Sequence, residues 1–328
     1  MNQLTVTTGS RLHFGLILSS QHKPWHFGGA GLMVRNPGWT VELYREPLTA
    51  DVIAGSSDAV TRTELVLKRL RETTGIPFVR IRIRTEVPFH TGLGSGTQLA
   101  LAVASGIRTL FQIPLASSSL ELSRLAGRAE RSAIGTGGFE LGGFLIDRGA
   151  SESSQRITRI VVPEQWRFIL VRPESGAGIS GQTEQAYFGK QNFMPTDLVA
   201  ELTSILSGKL DAAIVKNDFE AFATELEHYG NLAGSFYAQE QGDIFSDPVI
   251  RRLVDRLHSK GVIGAAQSSW GPGICIPARS ESHAREILAQ IPDQIDGSRL
   301  ITAVTEAMNH GATHAWPAPE LREGHLFA

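Results

Sequence analysis

Between residues 79 and 111 the sequence passes from strict alternation, through a glycine cluster, into an apolar run, and this succession constrains the fold most. Val79, Ile81, Ile83 and Val87 share one face of an extended segment. Arg80, Arg82, Arg84 and Glu86 share the other, the pattern of a strand with a buried and a solvated side. Thr97 to Phe111 is rich in Ala and Leu and reads as a helix buried on most sides. Between the two lies Pro88-Phe89-His90-Thr91-Gly92-Leu93-Gly94-Ser95-Gly96-Thr97-Gln98. Three glycines in five residues let the backbone take positive φ and come close to a ligand. Their N–H groups then gather at the positive end of the following helix, an arrangement that binds phosphate. The hydroxyls of Ser95 and Thr97 can hold phosphate oxygens or a magnesium ion. The segment is not a P-loop, which closes on Gly-Lys-Ser/Thr, nor the dinucleotide pattern Gly-x-Gly-x-x-Gly.

Two other segments share this character. Ser118-x-x-Glu121 reads as a capping box that opens a helix running to about Ala133 and stopping at Gly135. Residues 135–143 then hold five glycines in nine residues. They are predicted to form a loop facing the first cluster, with Glu130 as a metal-binding carboxylate; a helix cap and turn is the simpler reading. The third segment, Ala265 to Ile276, contains Gly271-Pro272-Gly273 between two strand-like runs and reads as a tight loop. Within it Trp270 reads as a packing residue and Cys275 as an inert buried thiol.

Elsewhere, strands are predicted at Leu4–Thr8 and Trp166–Val171, and a helix over Glu64–Thr73 that stops at Gly75. Further helices are predicted over Thr196–Leu206, Asp218–Tyr229, Asp247–Ser259 and Glu281–Gln290. Gly261 reads as a C-cap and residues 149–158 as a turn. The 328 residues suggest two domains, divided before Trp166: residues 1–164, residues 165–317 and a loose tail over 318–328. With 31 Lys and Arg against 33 Asp and Glu, the chain lacks the basic field of a non-specific nucleic-acid binder. One cysteine excludes an internal disulfide framework and a cysteine-based zinc site. The N-terminus lacks the pattern of a signal peptide, and the longest apolar stretch, Leu99–Ala104, is far short of a membrane span. A soluble, cytoplasmic protein without nucleic-acid or membrane partners is therefore expected.

Taken together, the three glycine-rich segments resemble the layout of the GHMP kinase superfamily. The first resembles its Pro-x-x-x-Gly-Leu-Gly-Ser-Ser loop, with Gly96 in place of the second Ser. The resemblance implies an α+β fold: an N-terminal domain of a ribosomal-protein-like kind, a C-terminal ferredoxin-like domain, and a site in the cleft between them. It also marks a departure. Many of these kinases carry Ser-Gly-x-Asp in the second segment, and aligning Thr136-Gly137-Gly138-Phe139 on it puts Phe139 at the Asp. That argues against the alternative function, an ATP-dependent small-molecule kinase.

A narrower resemblance accounts for the departure. Arg11-Leu12-His13-Phe14-Gly15-Leu16 with His26-Phe27-Gly28-Gly29-Ala30-Gly31-Leu32 is similar to the N-terminus of the β-ribofuranosylaminobenzene 5′-phosphate synthase family. So are Gly92 to Ala100, Ile134-Gly135-Thr136, Phe139-Glu140-x-Gly142-Gly143-Phe144, Ser180-Gly181-x-x-Glu184 and Gln267-Ser268-Ser269-Trp270-Gly271-Pro272. The resemblance implies a pentosyltransferase of methanopterin biosynthesis. Such an enzyme joins phosphoribosyl pyrophosphate to 4-hydroxybenzoate or 4-aminobenzoate, with loss of pyrophosphate and carbon dioxide, using magnesium as a homodimer. Carried onto this chain, phosphate binding falls to Gly92, Leu93, Gly94, Ser95, Gly96, Thr97, Gly135, Thr136, Ser269 and Gly271. Glu130 and Ser95 are the magnesium ligands. His13 and Glu140 are candidates for a base near the acceptor's phenol or amine. Arg11 is the candidate for the benzoate carboxylate or the 5′-phosphate, since a guanidinium fork fits either anion.

Overall fold

The structure is a computed structural model that describes residues 2–20, 26–114, 122, 123, 126, 132–149, 156–176 and 193–317. Its elements alternate between sheet and helix. β1 (Gln3–Ser19) and β2 (His26–Tyr44) form a long antiparallel pair. β3 (Val52–Ala54), α1 (Ser57–Thr74) and β4 (Arg80–Thr85) follow, then α2 (Ser95–Phe111), α3 (Ile134–Leu141), β5 (Phe144–Asp147) and β6 (Ile157–Ile160). Beyond them come β7 (Arg167–Pro173), α4 (Thr196–Ser204), a π-helical stretch over Ile205–Leu210, and α5 (Asp211–Val215). α6 (Phe219–Gln241), α7 (Pro248–His258), β8 (Ala266–Gln267), β9 (Ile274–Ala278), α8 (Glu281–Leu288), β10 (Gln294–Ile295), β11 (Ser298–Thr305) and β12 (Thr313–Ala315) complete the order.

The described strands make two sheets. One runs β12-β1-β2-β4-β3, with β5 paired to β2 and β6 to β5; the other runs β10-β11-β7-β9-β8. The alternation of residues 79–87 resolves as expected. Ile81 and Ile83 are buried, while Arg80 and Arg84 pair with Glu46 and Glu42 on the open face. Gly75 ends α1 in the left-handed conformation, and Ser56 caps its start by accepting from the Ala59 N–H. α6 runs twelve residues beyond the expected stop at Tyr229, because Ala233 and Tyr237 continue its buried face. Cys275 is buried and unpaired, and burial holds its thiol pKa well above the usual range. Trp270 packs edge-on against Tyr237. Among the described residues, no helix is long and apolar enough to cross a membrane.

One expectation is corrected. Residues 134–141 form a helix, α3, and not a loop that begins at Gly135. The glycines serve contact: a Cβ on Gly138 would stand 2.6 Å from Met33 Sδ, and one on Gly31 would stand 2.3 Å from Ile134 Cγ2. Close packing of a helix on a sheet thus overrides the low helix propensity of glycine. Across the division expected before Trp166 the two parts are joined in two ways. β12 returns to the first sheet, pairing Thr5 with Ala315 and Thr7 with Thr313. One aromatic stack also crosses the division: Phe14 lies on Phe144, Phe144 on Phe222, and Phe222 on Trp166 and Phe168. The helix expected from Ser118 to about Ala133 lies largely outside the described residues, as do the Ser180–Glu184 segment and the tail after Pro317.

Candidate active site

Two residues of β1, Arg11 and His13, tie the first and third glycine-rich segments together. The Arg11 N–H donates to Leu93 O at 2.9 Å, which hangs the Gly92–Thr97 loop on the strand. Two residues on, the His13 N–H donates to Ser268 Oγ at 3.0 Å, and His13 O accepts from the Ser269 N–H at 2.7 Å. Ser268 Oγ in turn donates to Gly92 O at 2.6 Å. The first and third glycine segments therefore meet each other and the same strand. Alternation puts the Arg11 and His13 side chains on one face of β1. Just beyond His13 the β1–β2 register shifts, and the exposed carbonyls are met from α6: Tyr229 donates to Gly15 O and Tyr237 to Leu16 O, each at 2.9 Å.

The Gly92–Thr97 loop opens α2 without a side-chain cap. Gly94 is its N-cap with φ 63°, and Gly94 O accepts from the N–H groups of Thr97 and Gln98. By helix geometry the N–H groups of Ser95 and Gly96 then have no acceptor within the helix. A Cβ on Gly94 would lie 3.0 Å from Arg11 Nε, and one on Gly135 would lie 4.0 Å from the same atom and 3.0 Å from Thr97 Cγ2. Arg11 thus stands where the starts of α2 and α3 converge, and both helix dipoles present their positive ends there. Gln98, fully buried, fastens this corner: Nε2 donates to Gly135 O at 2.9 Å and Oε1 accepts from Thr8 Oγ1 at 3.1 Å.

The remaining candidates divide. Ser95 is buried at the start of α2, and Leu93, Gly96 and Thr97 lie in the same loop. Thr136 is buried and its hydroxyl pairs with that of Ser123, so of this residue only the backbone is left to face a ligand. Ser269 is exposed on the adjoining loop, whereas Gly271 is buried, with Ser246 Oγ only 2.2 Å from where its Cβ would be. Gly271 is therefore a packing residue behind the loop. Glu140 is not brought to the site. It is exposed near the far end of α3, about 7 Å along the axis from Gly135, with its carbonyl against Gly311. Glu130 lies outside the described residues.

Sequence reasoning passed over Asp147. Its side chain is fully buried, and it accepts from Ala133 N at 2.7 Å, Gly149 N at 2.9 Å, Arg156 Nε at 2.9 Å and Ser132 Oγ at 3.3 Å. The only signal was a charged residue ending the apolar run Phe144-Leu145-Ile146.

Electrostatically the site is cationic at Arg11 and neutral at His13. Burial, and then the Arg11 charge, push the His13 pKa down from 6.5 to about 3. Between those values the unfolded chain binds a proton that the folded chain does not. Stability therefore rises with pH across this window, by at most ~1.4 kcal/mol per unit, and is complete above 6.5. The expected result is that the unfolding free energy from urea titration falls between pH 7 and pH 5 by roughly 2 kcal/mol more in the wild type than in His13→Gln. Equal pH dependence in the two proteins would show that His13 titrates normally.

Residues 59–143 match the GHMP kinases N terminal domain, and residues 212–297 match the GHMP kinases C terminal domain, together more than half of the chain. The chain belongs to the GHMP kinase superfamily. Its α+β class and its superfamily fold are those the sequence implied. The homoserine kinase of Cytophaga hutchinsonii superposes with a TM-score of 0.67 at 18% identity, covering 96% of this chain and 98% of that one. Within the superfamily, the chain is 28% identical to beta-ribofuranosylphenol 5′-phosphate synthase of Methanothermobacter thermautotrophicus over 94% of its length and 98% of the relative's. It is 27% identical to the protein of that name from Methanocaldococcus jannaschii, over 83% of this chain and 88% of the other. The narrower resemblance read from the motifs is therefore found along nearly the whole chain. Phe139, which the sequence resemblance sets against a kinase Asp, is buried in the core.

Proposed function

We propose that this enzyme transfers the phosphoribosyl group of phosphoribosyl pyrophosphate to 4-hydroxybenzoate, releasing pyrophosphate and carbon dioxide and forming a C-riboside for methanopterin biosynthesis. The observation that carries the reading is the pairing of an intact phosphate loop, with Arg11 at its mouth, and a buried Phe139 in place of a kinase carboxylate. The relatives are named for a ribosylated phenol, which favours the hydroxybenzoate over the aminobenzoate.

In this reaction the bond from the ribosyl carbon to the diphosphate breaks, and the diphosphate takes the electron pair. The ring carbon bearing the carboxylate attacks that carbon, pushed by the phenolic oxygen. The bond to the carboxylate then breaks, carbon dioxide leaves, and its electron pair restores the aromatic ring. The Ser95 and Gly96 N–H groups and Arg11 are placed for anionic oxygens, so they stabilise the charge that develops on the leaving group. His13 is neutral, and its backbone N–H, carbonyl and ring Nε2 are all engaged, so it holds the site together.

Among the described residues no group of three or more His, Cys, Asp or Glu side chains could hold a metal ion. We propose that magnesium arrives on the diphosphate, where Ser95 Oγ and the Glu130 carboxylate would be its protein ligands; both are hard oxygen donors. Bound there, magnesium supplies charge neutralisation of the leaving group.

The deciding experiment incubates the enzyme with phosphoribosyl pyrophosphate, magnesium and carboxyl-labelled 4-hydroxybenzoate. Release of labelled carbon dioxide with one pyrophosphate per turnover is expected, along with no phosphoryl transfer from ATP to homoserine, mevalonate or a sugar. Robust ATP-dependent phosphorylation of any of these would overturn the proposal.

A further inference from the structure

Behind Arg11, a second set of polar groups runs inward from His13. Its ring Nε2 lies 3.1 Å from Ser132 Oγ, which lies 3.3 Å from Asp147 Oδ2. These groups rest on three adjacent strands. Asp147 pairs with Gly29 across β5 and β2, and a Cβ at Gly29 would lie 3.1 Å from His13 Cε1. Glycine at position 29 leaves room for the Gly15 carbonyl, 2.3 Å from where a Cβ would be, and for the imidazole beside it.

The hydroxyl of Ser132 has one proton and two lone pairs. The Ile134 N–H donates to it at 3.1 Å, which takes one lone pair. The proton goes to the carboxylate of Asp147, because a charged acceptor makes the stronger hydrogen bond. One lone pair remains, and the group that faces it is His13 Nε2. All three valences of Ser132 are used only if His13 carries its proton on Nε2 and donates. The reverse assignment would leave the buried Asp147 short of a donor and one Ser132 lone pair empty.

Asp147 also accepts from the Ala133 N–H, so it fixes the turn from which α3 starts. Arg156, through Nε and Nη2, balances its charge and leaves it no freedom to swing. The start of α3 is the wall that carries Gly135 against Arg11 and Thr97.

We propose that Asp147 is a positioning residue: acting through Ser132, it holds His13 as the Nε2–H tautomer and sets the start of α3, so that Arg11 and the phosphate-loop N–H groups meet a diphosphate in one fixed arrangement. This deepens the reading of the site as a diphosphate cradle and rests on it. A network in which every donor and acceptor is matched is stiffer than its separate pairs, and a displacement of about 1 Å at a reacting centre can cost ~100-fold in rate.

The test uses two readouts on the full-length enzyme: the tautomer of His13 from nitrogen-15 NMR of its ring, assigned with His13→Gln, and the affinity for magnesium pyrophosphate by calorimetry. Ser132→Ala removes one hydroxyl and leaves Asp147 with its other donors. It should mix the His13 tautomers and weaken pyrophosphate binding by roughly tenfold. Ser132→Thr should restore both. Asp147→Asn should shift the tautomer in the same direction, with a larger loss of affinity. A wild-type tautomer in Ser132→Ala, or a shifted tautomer with unchanged pyrophosphate affinity, would overturn the proposal. A wild-type enzyme that binds pyrophosphate but does not consume phosphoribosyl pyrophosphate would instead defeat the proposed reaction, and both readouts would still decide the role of Asp147.

Discussion

Gly94→Val is expected to reduce pyrophosphate release from phosphoribosyl pyrophosphate below detection while the circular dichroism spectrum stays native. Two effects act at this position. The residue has φ 63°, where a branched side chain costs about 1–2 kcal/mol of backbone strain, well within the stability of a domain of this size. The second effect falls on function. The new Cβ would stand 3.0 Å from Arg11 Nε, 3.2 Å from Arg11 Cβ and 3.3 Å from Arg11 O, and valine adds two methyl groups beyond it. The guanidinium must leave the mouth of the loop, and the added methyls occupy the approach to the Ser95 and Gly96 N–H groups. A folded variant with normal turnover would show that a diphosphate does not bind here.

The second large effect is expected at Arg11. Arg11→Ala should lower kcat/KM for phosphoribosyl pyrophosphate by ~1,000-fold, the scale for removing one strong electrostatic contact to a developing charge. Arg11→Lys should recover little of it. An ammonium is a point charge without the fork that meets two oxygens at once, and the bond from the Arg11 N–H to Leu93 O is unchanged in either variant. The way the loss divides also identifies the anion. A rise in KM confined to phosphoribosyl pyrophosphate assigns Arg11 to its phosphates, and a rise confined to the benzoate assigns it to the carboxylate. Activity within a few-fold of wild type for Arg11→Ala would remove the residue from the site.

What the sequence disclosed follows from the range of the interactions involved. The strand, glycine loop and helix over residues 79–111 were legible because all their determinants are local: an alternating strand, three glycines and an apolar helix within about thirty residues. The arginine row was legible for the same reason, and Arg80 and Arg84 do pair across the open face of the sheet. α3 was misread because the rule that disfavours glycine in helices is local, whereas Met33 and the β2 glycine Gly31, which demand small residues on the facing surfaces, lie about a hundred residues away. As a helix, α3 also carries Glu140, a candidate base, to its far end from Gly135. His13 was legible only through a resemblance, because a histidine in an apolar run reads equally well as core. Asp147 was invisible for a deeper reason. Its significance lies in five donors that come from residues 132, 133, 149 and 156, and nothing in the order of the sequence places them around one carboxylate.

The pairing of β12 with β1 sets an order for the birth of the molecule. β1 leaves the ribosome long before β12, yet Thr5, Val6 and Thr7 find their outer partners only in Thr313, His314 and Ala315. The His314 ring then fastens that last strand to Ser105 on α2 at 3.0 Å. At roughly 5–20 residues per second, the outer edge of β1 waits on the order of 15–60 s for its own chain to cover it. During that interval it presents unpaired N–H and C=O groups to every other nascent chain. Crowded synthesis is therefore the moment at which this protein is most exposed to pairing with the wrong strand, and the last few residues of the second half close that window.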